Sequence, residues 1–225
     1  MRLGMSSGWR ELLAPRTRFQ NKISSHRVWD FVRFEMSDVQ ALRRALGKPK
    51  MNDLLLTVVG GGNFVSGMRV ALGTDIADPL ERLKAIGEAS KQGKAQAEAV
   101  GGDFIGIMLA MTPYPPRSRM MRGMLGIAER TDLSLPGFVN TTVTNAPNPP
   151  GGHHFTGAKV LVYAGFGPVV EGSGLFHTIT GMDFEVTISV TSCRELLPDV
   201  SIYTQCLRES FAELQDAAKR VPAAA

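Results

Sequence analysis

Residues 184–192 read Phe-Glu-Val-Thr-Ile-Ser-Val-Thr-Ser, an apolar/polar alternation with no glycine or proline to interrupt it. Successive side chains of a strand point to opposite faces, so Phe184, Val186, Ile188 and Val190 form one apolar face and Glu185, Thr187, Ser189 and Thr191 the other. The apolar face needs a cover, and the chain supplies one at once. From about Val200 to Lys219, residues Tyr203, Leu207, Phe211, Leu214 and Ala218 recur at helical spacing and make one apolar stripe. A strand with one apolar face followed by a helix with one apolar stripe dictates a layered sheet-and-helix domain.

The rest of the chain fits that layering. Residues Val28 to Glu35 are branched and aromatic, bounded by polar ones, and read as a strand. Ser37 is placed to cap a helix carrying Val39, Leu42 and Leu46 and stopping at Gly47. Residues Leu54 to Val59 fit either a short helix capped by Asn52 or Asp53, or a buried strand, and periodicity does not separate the two. Ser66–Leu72 reads as a strand. Asp78-Pro79 with Glu81 opens a helix carrying Leu80, Leu83 and Ile86. Further strands are expected at Phe138–Thr144, Lys159–Ala164 and Leu175–Thr180. The fold class is therefore α/β, an α+β arrangement of a mixed sheet with flanking helices.

Of the 225 residues, 44% are hydrophobic and 20% charged, which excludes a disordered or fibrous chain. Cys193 and Cys206 are the only cysteines, too few for a disulfide framework, so a reducing cytoplasm is expected. The first residues lack the apolar core of a signal peptide, and the uncharged stretch from Leu133 to Ala158 is broken by Pro136, Pro147, Pro149 and Pro150. Residues 1–50 carry eleven lysines and arginines against four acids. That arm reads either as a solvated segment or as a contact for anionic lipid; no nucleic-acid motif accompanies it.

Several motifs carry less chemistry than they suggest. The Gly60-Gly61-Gly62 triplet is followed by neither Gly-Lys-Ser/Thr nor a third spaced glycine, so it holds no nucleotide phosphate. His153-His154 sits in a Pro/Gly loop without a nearby carboxylate to orient an imidazole. No spacing supports a metal site. Ser173 misses the hydrolase elbow because Glu171 stands where its first glycine belongs. A methionine-rich segment from Phe104 to Arg130, interleaved with Arg117, Arg119 and Arg122, reads as a core-facing helix with a basic outer face or as an acyl- or lipid-contacting strip.

Four stretches carry a resemblance. They are APRTRFQNKISSHRVWDFVRFEMSDVQAL running into MNDLLLTVVGGG, GNFVSGMRVALGTDIADPLERLKAI, FVNTTVTNAPNPPGGHHFTGAKV, and FEVTISVTSCRELLPDV with its helix. In order and spacing they resemble the C-terminal half of the bacterial wax ester synthase/diacylglycerol acyltransferase family. The resemblance implies a coenzyme A-dependent acyltransferase-like sandwich, with residues 1–27 a basic leader and 28–225 the C-terminal-type domain. It implies transfer of a fatty acyl group from acyl-coenzyme A, as substrate and not as bound cofactor, to diacylglycerol or a long-chain alcohol. It also implies peripheral placement at a membrane or lipid inclusion. The family's base is a histidine of a His-His-x-x-x-Asp-Gly motif in the other half. Here Ala158 and Lys159 stand where that Asp and Gly would follow His153-His154, so no catalytic residue is assigned and a partner carrying the N-terminal half is expected. A second reading is a catalytically silent remnant that binds lipid or acyl chains.

By matching position, Asn52 and Asp53 correspond to the family's Asn-Asp pair, and Thr144 and Asn145 to its Ser-Asn pair. These four are the substrate-binding candidates. Amide and hydroxyl donors there would face a thioester oxygen; alternatively Asn52 caps a helix and Asn145 holds a turn. Asn148 replaces the motif's usual glycine. Gly62 runs directly into Asn63 where the family has a longer stretch, so the domain is expected to be shortened there.

Overall fold

The computed structural model describes residues 17–59, 63–65, 68–99, 140–147, 154–170 and 172–221. After a short 3-10 turn (Arg18–Gln20), its described elements are β1 (Arg27–Glu35), α1 (Met36–Ala45), α2 (Met51–Val59), β2 (Asn63–Val65), β3 (Met68–Val70), α3 (Pro79–Ala99), β4 (Thr142–Pro147), β5 (His154–Phe155), β6 (Ala158–Lys159), β7 (Leu175–Gly181), β8 (Glu185–Cys193) and α4 (Val200–Ala218). The main sheet has the order β1-β8-β7-β4. β8 runs antiparallel to both neighbours, and β4 lies parallel to β7. The sheet is mixed, as the sequence predicts.

Register puts Val32 opposite Ile188 and Ile188 opposite Ile179, which sets the apolar face of the sheet. All four described α-helices contribute buried side chains there, α1 through Val39 and Leu42. α2 is buried through Leu54, Leu55, Leu56, Val58 and Val59, so residues 54–59 are helix and the strand alternative is excluded. α4 presents Leu207, Phe211, Leu214 and Ala218, as its periodicity requires, and the Phe211 ring meets Phe34 of β1 at 4.3 Å between centroids. α4 is capped by Asp199, whose Oδ1 accepts from the Ser201 and Ile202 amides at 3.0 and 3.3 Å. α3 opens as the Asp-Pro signal demands, Asp78 Oδ1 accepting from the Leu80 and Glu81 amides.

β8 is buried on both faces, not on one. Its polar face carries a strap, residues 160–170, that crosses the sheet without joining it. Sheet hydroxyls hold the strap: Thr180 Oγ1 donates to the Tyr163 carbonyl at 2.7 Å and Ser189 Oγ donates to the Gly165 carbonyl, which also accepts from Trp29 Nε1 at 3.1 Å. Gly165 and Gly167 make the close approach possible. A Cβ on Gly165 would lie 2.6 Å from Thr178 Cγ2, and one on Gly167 would lie 2.1 Å from the Phe176 ring.

Glu35, not Ser37, occupies the cap position of α1. The Leu54 amide bonds to the Lys50 carbonyl at 3.1 Å, so α2 is already under way at Asn52 and neither Asn52 nor Asp53 caps it. β4 begins at Thr142 and runs to Pro147, later than the expected Phe138–Thr144. The expected strand Lys159–Ala164 is instead the end of a two-residue strand and the start of the strap. Of the strand expected at Ser66–Leu72, residues Met68–Val70 form β3, paired antiparallel with β2, while Ser66 and Gly67 lie outside the described residues. Residues Gly60–Gly62, the methionine-rich segment Phe104–Arg130 and His153 lie outside the described residues.

Candidate functional site

The tight turn between β7 and β8 is fixed by the Met182 amide, which donates to the Glu185 carbonyl at 2.7 Å, and the Met36 amide docks onto the same turn through the Phe184 carbonyl at 2.9 Å. These bonds hold the start of α1 against the end of the sheet. Between them opens a cleft of about 440 Å³, lined by Met36 and Gln40 of α1, Met51 and Leu55 of α2, Asn145 of β4, Ile179 and Gly181 of β7, Met182 and Asp183 of the turn, and Val186 of β8. That volume falls within the range of small-molecule sites. Three methionines on three elements give it walls that are apolar and conformationally adaptable, suited to a flexible unbranched chain.

Asn145 stands opposite Ile179 in the parallel ladder, which places its amide on the helix-covered face of the sheet. It is exposed, and it joins the Gln40 amide and the Asp183 carboxylate as the polar groups of a lining that also carries three methionines, Leu55, Ile179 and Val186. Thr144, half-buried, points to the opposite face by the alternation of β4. Asp53 is buried with its carboxylate towards Gly87 of α3, and neither it nor the half-buried Asn52 lines the cleft. Of the four sequence candidates, the structure therefore brings only Asn145 into the cleft. The remaining lining residues were not legible in the sequence: Met36, Met51 and Met182 converge through the topology and share no motif.

The histidines lie elsewhere. His177 is fully buried on β7, with Nδ1 2.9 Å from Thr141 Oγ1 and Nε2 2.9 Å from Tyr203 Oη. Burial pulls its pKa down to about 3, so the ring is neutral near pH 7. Tyr203 is displaced in the opposite sense, again by burial. His26 Nδ1 pairs with Glu195 Oε1 at 2.9 Å on the surface, where Ser24 and His26 hydrogen bonds pull the Glu195 carboxyl down to about 2. His154 is exposed on β5. Among the described residues no histidine lines the cleft and no cluster of three metal-ligating side chains exists. On the strap side, Glu185 is nine-tenths buried, and burial raises its carboxyl pKa against the pull of Arg33, whose Nη1 is 3.6 Å away. No described helix is long and apolar enough to cross a membrane.

The described residues thus form a mixed sheet layered with helices, with a cleft at one end of the sheet. The solved structure of the wax ester synthase/diacylglycerol acyltransferase from Marinobacter aquaeolei VT8 superposes with a TM-score of 0.73 at 21% identity, over 92% of this chain and 53% of that one. The family model described as the WS/DGAT C-terminal domain matches residues 61–215, and the chain belongs to that family. A Mycobacterium tuberculosis protein named as a diacylglycerol O-acyltransferase is 27% identical over 97% of this chain and 54% of its own length. A second from the same organism is 31% identical over 148 residues. The chain spans about half the length of the first of these relatives and of the Marinobacter enzyme.

Proposed function

We propose that this chain is the acyl-binding half of an O-acyltransferase that moves a fatty acyl group from coenzyme A to the hydroxyl of diacylglycerol or a long-chain alcohol. The observation that carries this reading is the methionine-walled cleft with the Asn145 amide on its wall. The acyl chain lies along Met36, Met51 and Met182. Asn145 Nδ2–H donates to the thioester oxygen, where negative charge accumulates as the alcohol attacks the carbonyl carbon, and dipoles already oriented at that point lower the barrier. The apolar walls keep water from competing with the alcohol. The alcohol proton goes to a histidine on a second half, and the coenzyme A thiolate leaves. The acceptor is a lipid, so the reading places the protein at the cytoplasmic surface of a membrane or lipid inclusion.

A second reading, an acyl- or lipid-binding module without catalysis, is favoured by the lack of a histidine among the described residues that line the cleft. One experiment separates them. Palmitoyl-coenzyme A binding is measured by titration calorimetry, and thiol release is followed with hexadecanol or diacylglycerol, first with the chain alone and then with the amino-terminal half of the Mycobacterium relative fused ahead of it. Acceptor-dependent release by the fusion only supports the acyltransferase reading. Binding without release in either supports the module, and no binding by folded protein rejects both.

A further inference from the structure

Residues 39–52 carry four cations, Arg43, Arg44, Lys48 and Lys50, and no acid. They adjoin the cleft. Arg43 Nη1 donates to the Gln40 side chain of the lining at 3.2 Å, and Lys50 directly precedes Met51, another lining residue. Arg44, Lys48 and Lys50 are exposed, and among the described residues none of the four forms an ion pair. Glu35 and Asp38 stand at the other end of α1, and Asp53 is buried towards α3.

Helix electrostatics accounts for two of these cations and not for the other two. Arg43 and Arg44 occupy the last turn of α1, where the negative end of the dipole favours them. Lys50 stands just before α2, at a positive end, where a cation is disfavoured. Lys48 has a φ of 60°, a left-handed conformation that suits glycine or asparagine. The backbone there is braced: the Lys48 amide donates to the Arg43 carbonyl at 2.7 Å, and Arg43 Nε donates to the Pro49 carbonyl at 3.0 Å. Two lysines are thus held beside the cleft in places that local structure disfavours.

We propose that the turn from Arg43 to Lys50 docks the chain on an anionic lipid surface and so brings a lipid acceptor to the cleft beside it. The inference rests on the reading that the acceptor is a lipid, and names the face that meets it. Unpaired cations complement the negative potential of phosphate headgroups, each raising affinity about fivefold near such a surface. A pocket for one phosphate would enclose its cations; three of these four are open to solvent, which suits an extended headgroup layer.

Flotation of the full chain with vesicles of phosphatidylcholine, with and without phosphatidylglycerol, tests it. Binding is expected only with phosphatidylglycerol and is expected to weaken as salt rises. Arg44→Gln with Lys48→Asn and Lys50→Gln, the asparagine chosen to suit the backbone at 48, is expected to lower the affinity about a hundredfold. Arg18→Gln with Arg27→Gln and Arg194→Gln removes the same charge at the opposite end of the sheet, where Arg27 stands opposite Cys193, and is expected to bind as the parent does. Equal binding to phosphatidylcholine alone, a loss below about tenfold in the first variant, or equal losses in both variants overturns the proposal. In the native chain, amide exchange of residues 43–51 should slow on vesicle binding, a readout that needs no variant to fold; binding without that protection also overturns it. Soluble coenzyme A and palmitoyl-coenzyme A are titrated in parallel. If the first variant loses coenzyme A affinity and keeps vesicle binding, the cations serve the coenzyme phosphates and the docking surface is rejected. No vesicle binding while palmitoyl-coenzyme A binding persists rejects the docking surface and leaves the proposed function standing.

Discussion

His177 Nε2 lies 2.9 Å from Tyr203 Oη, a part-buried hydrogen bond that fastens β7 to α4. Thr141 Oγ1 is 2.9 Å from Nδ1 and 3.0 Å from the Leu175 carbonyl. A neutral ring that donates from Nδ1 to Thr141 and accepts from Tyr203 satisfies every polar atom in this set, with Thr141 passing its own proton to Leu175. A charged imidazolium would donate from both nitrogens, so Tyr203 could no longer donate to the ring and its hydroxyl proton would need another acceptor.

This makes stability depend on acid in a definite direction. The folded pKa, about 3, lies below the ordinary 6.5. The unfolded chain therefore binds the extra proton first, and the contribution is full above about pH 6.5 and lost progressively as pH falls towards 3. Between pH 6.5 and 5 the loss is about 2 kcal/mol. Urea unfolding of the native chain and of His177→Gln at both pH values checks this; the variant should lose most of the His177-dependent difference, and an identical pH dependence would refute the assignment.

Tyr203→Phe removes the donor to Nε2 while keeping the ring. An acceptor stranded in the core costs about 1–3 kcal/mol, read as a lower urea midpoint with unchanged slope. A variant as stable as the parent would mean that the bond contributes nothing net.

Gly167→Ala should lift the strap from the sheet, because the new methyl would sit 2.1 Å from the Phe176 ring. Overpacking of this kind costs about 1–3 kcal/mol. Faster amide exchange confined to residues 161–169 is the expected signature. Phe176→Leu in the same background should restore part of the loss by making room.

Asn145→Ala should leave the melting temperature nearly unchanged, since the residue is exposed. In the fusion with an amino-terminal half, it should lower the rate of acyl transfer by about a hundredfold with little change in palmitoyl-coenzyme A affinity. Loss of affinity with an unchanged rate would assign Asn145 to ground-state binding.

Phe211→Ala removes the ring that stacks on Phe34 in the middle of the helix layer. A cost of about 3–5 kcal/mol is expected, enough to leave much of the chain unfolded at 37 °C by circular dichroism.

The elements that the sequence announced are those whose own periodicity carries their environment. β8 alternates, α4 has a stripe of period 3.6, and α3 opens on Asp78-Pro79; each was legible without a partner. The strap was not, because Lys159–Ala164 has strand composition, and what keeps it out of the ladder lies far along the chain. The hydroxyls of Thr180 and Ser189 take the carbonyls that a neighbouring strand would otherwise use. The placement of Asn52 and Asp53 was obscured for a similar reason: Lys50 supplies the carbonyl that starts α2, a backbone role with no side-chain signature. The cleft was the least legible feature of all. Met36, Met51 and Met182 meet only after β1 pairs with β8 and α1 docks on the β7–β8 turn.

That pairing has a consequence for how the protein is made. Arg27 stands opposite Cys193 and Glu35 opposite Glu185, so β1 finds its partner only across most of the chain. On the ribosome, residues 27–35 must emerge and wait until the segment through Cys193 has followed, with an open edge and the Phe34 ring uncovered. Long-range pairing of this sort is slow and leaves nascent chains prone to associate with one another. Between synthesis of residue 35 and of residue 193, β1 is therefore a strand without its partner, and the long separation makes this pairing the late step in completing the sheet.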